Sequence, residues 1–217
     1  MAEDVPDTPQ GEVPPPKDPS KVFAIAGLYY QGLTVPEDKA KAAQLYELSA
    51  DRGYAPAMVR LGIMRMEGDG VEKDDVAATA LFRRAAVAGS ADGMFMLALR
   101  YKDGVGVDQN PDEAARWCFE AAKAGSHGAM VELAIWFRDG DNHVVRDMEQ
   151  CLYWLFKASL DKYPSALYEL GCMYAFGESV KRDVENGRHL LQHAVLNGDS
   201  DAAEALEALD AGATERP

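Results

Sequence analysis

The sequence predicts an all-α fold, a solenoid of five helix-turn-helix repeats closed by a C-terminal capping helix. Three observations predict it. The stretch 61–89 reads L-G-I-M-R-M-E-G-D-G-V-E-K-D-D-V-A-A-T-A-L-F-R-R-A-A-V-A-G and returns 36 residues later as L-A-L-R-Y-K-D-G-V-G-V-D-Q-N-P-D-E-A-A-R-W-C-F-E-A-A-K-A-G. A glycine ladder, Gly32, Gly68, Gly104, Gly140 and Gly177, keeps intervals of 36, 36, 36 and 37. A second ladder, Gly53, Gly89, Gly125 and Gly198, has Lys162 in its gap, and Ala50, Ala86, Ala122, Ser159 and Val195 form a third. Self-similarity at one fixed period is the signature of a repeat architecture.

Residues 1–19 come first. They hold six prolines and five acids with almost no large apolar side chain, so burial there cannot offset the entropy of ordering, and a disordered acidic tail is expected. Ser20 is the expected cap of a first helix over 21–31, followed by a partner over 39–52. The repeats span about 20–53, 54–89, 90–125, 126–162 and 163–198. In the second, Ala57, Met58, Leu61, Met64 and Met66 fit one helical face. Gly68 and Gly70 break that helix. Asp74 caps the next, which carries Ala78, Leu81, Phe82, Ala85 and Ala86 and stops at Gly89. In the third, Asn110, Pro111 and Glu113 read as cap, first-turn proline and capping-box acid. The fourth carries one extra residue near positions 141–145. A last helix over 199–209 repeats only the opening half of the unit. Its acids Asp199, Asp201, Glu204 and Glu207 suit a terminal cap with a polar outer face. Residues 211–217 are expected to fray.

A 36-residue helix pair resembles the tetratricopeptide class. The spelling is similar to that of Sel1-like repeats. Tyr101, Gly104, Gly106, Val107, Ala114, Trp117, Ala121, Ala122 and Gly125 carry the resemblance in the third unit. Leu170, Gly171, Tyr174, Gly177, Val180, Asp183 and Gly198 carry it in the fifth. The resemblance covers roughly 20–210. It implies a right-handed solenoid with an adaptor or scaffold role in protein complexes. Trp117 and Trp154 fill the tryptophan slot of the second helix and are expected in the core.

The chain of 217 residues is 47% apolar, enough for a sizeable quasi-linear core. Its net charge of −14 argues against nucleic acid or an anionic membrane as partner, because both call for basic patches. It suits solubility and a partner with basic flanks. No apolar run is long enough for membrane insertion. The three cysteines, Cys118, Cys151 and Cys172, fall at three different places in the repeat. Some secreted members of the resembled family clamp each helix pair with a disulfide, and that pattern is missing. An odd set suits a reducing compartment, and a cytoplasmic location is expected.

Three groups invite a chemical reading. His189 and His193 share a helix face at i and i+4, a spacing able to hold a metal. The glutamate of a zinc-peptidase motif is missing, and solvated histidines fit the pattern better. Ser159-Leu160-Asp161-Lys162 formally matches S-x-x-K, the nucleophile motif of serine β-lactamases, but no K-T-G or S-D-N companion exists, and repeat drift explains both residues. His143 with Asp141 and Asp147 clusters in the irregular turn without a serine or cysteine to complete a triad. The Gly-x-Gly motif follows a helix, not a strand, so no phosphate cradle and no cofactor is expected. The expectation is a protein that is not an enzyme.

The surface remains. In helix-pair solenoids the first helices line the concave side. Positions two before, one after and five after the ladder Gly or Ala share one outward face there. They give Arg60, Ile63 and Glu67; Met96, Leu99 and Asp103; Glu132, Ile135 and Asp139; and Glu169, Cys172 and Phe176. Phe95, Trp136 and Tyr168 lie beside them. This apolar stripe edged by acids fits a groove for a partner protein or peptide. A fixed place in a larger multiprotein assembly is the alternative. Met58, Met94, Met130 and Leu167 read as core.

Overall fold

The computed structural model describes residues 15–216, so most of the acidic tail expected over 1–19 lies outside the described residues. Among those described are eleven α-helices and no strand. They pair as α1 (Pro19–Gln31) with α2 (Lys39–Asp51), α3 (Ala55–Glu67) with α4 (Asp75–Val87), and α5 (Ala91–Asp103) with α6 (Pro111–Lys123). Next come α7 (His127–Asp139) with α8 (Met148–Leu160), α9 (Pro164–Phe176) with α10 (Val184–Leu196), and a last helix, α11 (Asp201–Asp210).

The helix boundaries come from repeated chemistry. Each odd helix from α1 to α9 stops at a left-handed glycine, with φ between 65° at Gly32 and 77° at Gly140 and Gly177. Each even helix starts from an Asp or Asn whose side chain accepts a backbone N–H: Asp38, Asp74, Asn110, Asp147 and Asp183. Such caps contribute about 1 kcal/mol each. Two expected caps are corrected. Asp18, not Ser20, caps α1, because Pro19 fits the first helical position and the backbone N–H of Ser20 donates to Asp18. Glu113 does not close a capping box; its carboxylate accepts from the Trp117 indole at 3.0 Å and from Arg116 at 2.5 Å.

Each helix packs chiefly on its neighbours in the chain, which makes the fold quasi-one-dimensional. Odd helices form one layer and even helices the other. α3 also meets α5 and α9 meets α11, while no two even helices meet as extensively. The turn after α5 shows why the register is strict. Gly106 has φ +70°, and a Cβ there would stand 2.1 Å from the Asp75 carbonyl oxygen. Thr79 on α4 donates to the Val105 carbonyl at 3.1 Å. The turn of one repeat is therefore seated on the preceding α4.

The extra residue of the fourth repeat is absorbed in its turn, where Asn142 and His143 take φ of 50° and 58°. At the far end, α11 begins at Asp201, two residues later than expected, and Asp199 accepts the Ala202 N–H. Ala202, Ala205 and Leu209 are buried against α9 and α10, and Asp201, Glu204 and Glu207 face out. The fraying expected over 211–217 is also corrected for residues 211–216, and Pro217 lies outside the described residues. Gly212, at φ 84°, turns the chain back, Ala213 packs on the last core cluster, and Arg216 reaches α9.

Candidate partner-binding face

The odd helices carry every side chain singled out for the partner face, and burial separates them. Arg60, Glu67, Asp103 and Asp139 are exposed, and Ile63, Phe95, Met96, Leu99, Glu132, Ile135 and Tyr168 are half-buried. Trp136 is only 1% exposed, Phe176 8% and Cys172 0%. These three are corrections, and so is Glu169 at 8%: they are wall and core, not open surface. The α7 helix rotates Trp136 into the central core, where its indole donates to Glu132 at 3.1 Å. Phe176 joins Leu167, Leu191 and Leu209 in the last cluster, because α11 covers it.

The structure gathers Arg60, Ile63, Phe95 and Met96 around a groove of about 390 Å³. Phe23, Pro56, Val59, Ser90 and Asp92 complete its lining. The sequence reading missed these five. A signal existed, since Phe23, Val59 and Phe95 repeat one ladder position at intervals of 36. Ile63 and Met96 rest on the cluster of Ala78, Phe82, Ala86 and Leu97, which fixes the floor.

Beyond the groove the face becomes ionic. Lys102 on α5 lies 2.7 Å from Glu132 on α7. Arg138 on α7 lies 2.9 Å from Glu169 on α9 and also holds Asp139. The Arg138 guanidinium, by hydrogen bonding, lowers the Asp139 carboxyl below its usual value. Glu169, 8% exposed, is met from the other side by Arg216. Glu132, Asp139 and Glu169 are therefore engaged within the chain, whereas Glu67 and Asp103 face outward.

The groups weighed for chemistry are scattered. His189 and His193 are exposed, and among the described residues no three His, Cys, Asp or Glu side chains gather as a metal site. The Ser159 hydroxyl donates to the Phe156 carbonyl at 2.8 Å, while Lys162 is exposed at φ 57°. His143 contacts Asp112 at 2.9 Å on the surface. Trp154 is buried as expected, with its ring edge-on to Phe119, but Trp117 is half-buried and stacks under Arg116 at 4.4 Å.

Solved structures share this architecture. A Sel1 repeat protein from Oxalobacter formigenes is 25% identical at a TM-score of 0.80, with 89% of this chain and 76% of that one covered. A protective antigen of uropathogenic Escherichia coli displaying an SLR fold is 28% identical at a TM-score of 0.74; the match covers 89% of this chain and 42% of the antigen. An immunity protein from Pseudomonas aeruginosa, 24% identical at a TM-score of 0.65 over 89% of this chain and 71% of that one, shares the fold. Comparison with curated proteins found no match. The family pattern described as the Sel1 repeat matches residues 23–54, 55–90, 91–126, 127–162 and 164–199, and the chain belongs to the Sel1 repeat family.

Proposed function

We propose that this chain is a non-catalytic scaffold or adaptor that binds a partner protein or peptide on its odd-helix, concave face. Sel1 repeat proteins generally mediate protein–protein interaction. The observation that carries the reading is the groove across α1, α3 and α5. Its lining is apolar at Phe23, Val59, Ile63, Phe95 and Met96 and polar at Arg60, Ser90 and Asp92. An apolar floor with a polar rim fits an amphipathic helix or an extended peptide. The outward acids Glu67, Asp92 and Asp103 favour a partner with basic flanks. Three free, buried cysteines support a reducing compartment, with the cytoplasm the reading we favour. Among the described residues no helix is long and apolar enough to cross a membrane.

The test is affinity capture of the tagged chain from its native cells, set beside two variants. Glu67→Lys with Asp103→Lys alters the exposed acids on the same helices as the groove, and Ile63→Asp alters the floor. Loss of the same stoichiometric proteins in both variants, with the helical circular dichroism signal and melting temperature kept in the double-lysine variant, supports the reading. Unchanged retrieval by both overturns it.

A second reading, a fixed subunit of a larger assembly, is favoured by Tyr153, Phe156 and Leu160. They leave an apolar strip on one side of α8, with Leu160 80% exposed. Light scattering of the purified chain decides here, because a soluble monomer at high concentration removes the need for a permanent partner on α8.

A further inference from the structure

We propose that Tyr168, Glu169 and Glu178 form an arginine-binding site at the fifth-repeat end of the odd-helix face. The chain's own Arg216 fills this site in cis, and an arginine-bearing segment of a partner protein enters by displacing it. The inference rests on the scaffold reading above and names the ligand chemistry at one end of that face.

The site reads a guanidinium by three independent features. Both Glu169 oxygens accept from Arg216, Oε2 from Nη1 and Oε1 from Nη2, each at 2.9 Å. This paired geometry fits a planar guanidinium and not a point-charge ammonium. The Tyr168 ring lies 4.6 Å from the guanidinium carbon, and its hydroxyl oxygen accepts from Nε at 3.4 Å. Glu178 adds a second acid 3.8 Å from Nη1. The site is nearly closed, since the Glu169 side chain keeps only 11% of its exposure and that of Arg216 23%.

Two further features make it exchangeable. The chain is anchored up to Ala213, whose N–H donates to the Ala208 carbonyl at 2.9 Å and which packs on the last core cluster, but Thr214 and Glu215 between it and Arg216 are exposed. Glu169 also keeps a second cation, Arg138, at 2.9 Å, so departure of Arg216 does not strand a buried carboxylate. One repeat earlier the equivalent Glu132 is met, among the described residues, by a single cation, Lys102. The fifth repeat thus carries the same internal rung plus one added guanidinium.

The experiment uses the full chain and its Arg216→Ala variant with a fluorescein-labelled peptide, A-G-A-T-E-R-P, which repeats residues 211–217. A peptide with glutamine in place of arginine is the control. Fluorescence anisotropy should show the arginine peptide binding the variant at least about tenfold more tightly than the parent, because a tethered occupant lowers apparent affinity in proportion to the fraction of time that the site stands free. The glutamine peptide should bind neither protein, and Tyr168→Leu combined with Arg216→Ala should lose the gain. Equal binding by parent and variant, no binding by the variant, or equal binding of both peptides overturns the proposal. Should Arg216→Ala melt early, Arg216→Lys keeps the charge without the paired geometry and the same comparison is made with it. This result is independent of the groove variants. Failure here with groove-dependent capture intact removes the arginine site alone, and the reverse outcome removes the groove reading.

Discussion

Lys102 and Glu132 form a rung between α5 and α7, with 2.7 Å between Nζ and Oε1, and one repeat later the same two positions are Arg138 and Glu169 at 2.9 Å. One repeat earlier they are Met66 and Met96, both packed on the cluster around Phe82 and Leu97. Earlier still they are Tyr30 and Arg60, with the guanidinium 5.7 Å from the ring centroid. One pair of positions carries three chemistries, cation–aromatic, apolar and, twice, an ion pair, so the face changes from aromatic and apolar to ionic along the solenoid while the backbone repeats.

Glu132 serves two donors, Lys102 and the buried Trp136 indole. Glu132→Ala leaves that indole N–H without an acceptor inside the core and should destabilise the chain by about 1–3 kcal/mol. Glu132→Gln retains an acceptor oxygen and should recover more than half of the loss. Urea unfolding followed by circular dichroism separates the two. Equal losses in both variants would assign the cost to the Lys102 ion pair instead of the indole.

Lys162 stands where the other repeats place Gly53, Gly89, Gly125 and Gly198, and it takes φ 57°. A non-glycine residue in the left-handed region carries about 1 kcal/mol of strain. Its side chain is exposed. Lys162→Gly should therefore raise stability by about 0.5–1 kcal/mol, despite the usual entropic penalty of glycine. An unchanged or lower melting temperature would mean that the lysine side chain stabilises the turn.

The repeat was legible because glycine stops and Asp or Asn caps act locally, and each recurs at a fixed interval. That α10 and α11 close the last core could be anticipated from the polar run Asp201, Glu204 and Glu207. The depth of individual side chains could not. Trp136 and Phe176 occupy positions that look outward on a bare helix, and neighbouring helices then cover them. Arg216 was unreadable for another reason: its contacts lie 47 residues away at Glu169, outside any periodicity. Phe23 and Val59 were readable from the ladder they share with Phe95, but the groove needs all three helices side by side.

The two tryptophans of the second-helix slot should differ. Trp154 is 4% exposed, and its indole N–H has no acceptor among the described residues. Trp154→Ala should cost about 3–5 kcal/mol, but Trp154→Phe less than about 1.5, since it keeps much of the ring volume and removes an orphaned donor. Trp117→Ala, at a half-buried position bonded to Glu113, should cost about half as much as Trp154→Ala. Equal losses for the two alanine variants in urea would show that the slot contributes alike in these two repeats.

The cysteines make a pH prediction whose sign can be worked out. Burial pushes the Cys151 thiol up to about 11 and Cys172 to about 12, from an ordinary 9.0, and raises Cys118 further. Thiolate is the reactive form, so at pH 8 native labelling by a disulfide reagent should be at least about a hundredfold slower than after unfolding in urea. The unfolded thiols lose their protons near pH 9 while the folded ones keep them. Stability from this source is thus complete below pH 9 and falls as pH rises through 9 towards 11–12. Melting temperature should drop across that window, and the drop should be shallower when all three residues are replaced by alanine, even though that variant starts less stable. One thiol that labels at full speed in the folded chain would contradict the burial of that repeat. An unchanged pH slope in the alanine variant would assign the alkaline loss to tyrosines and lysines.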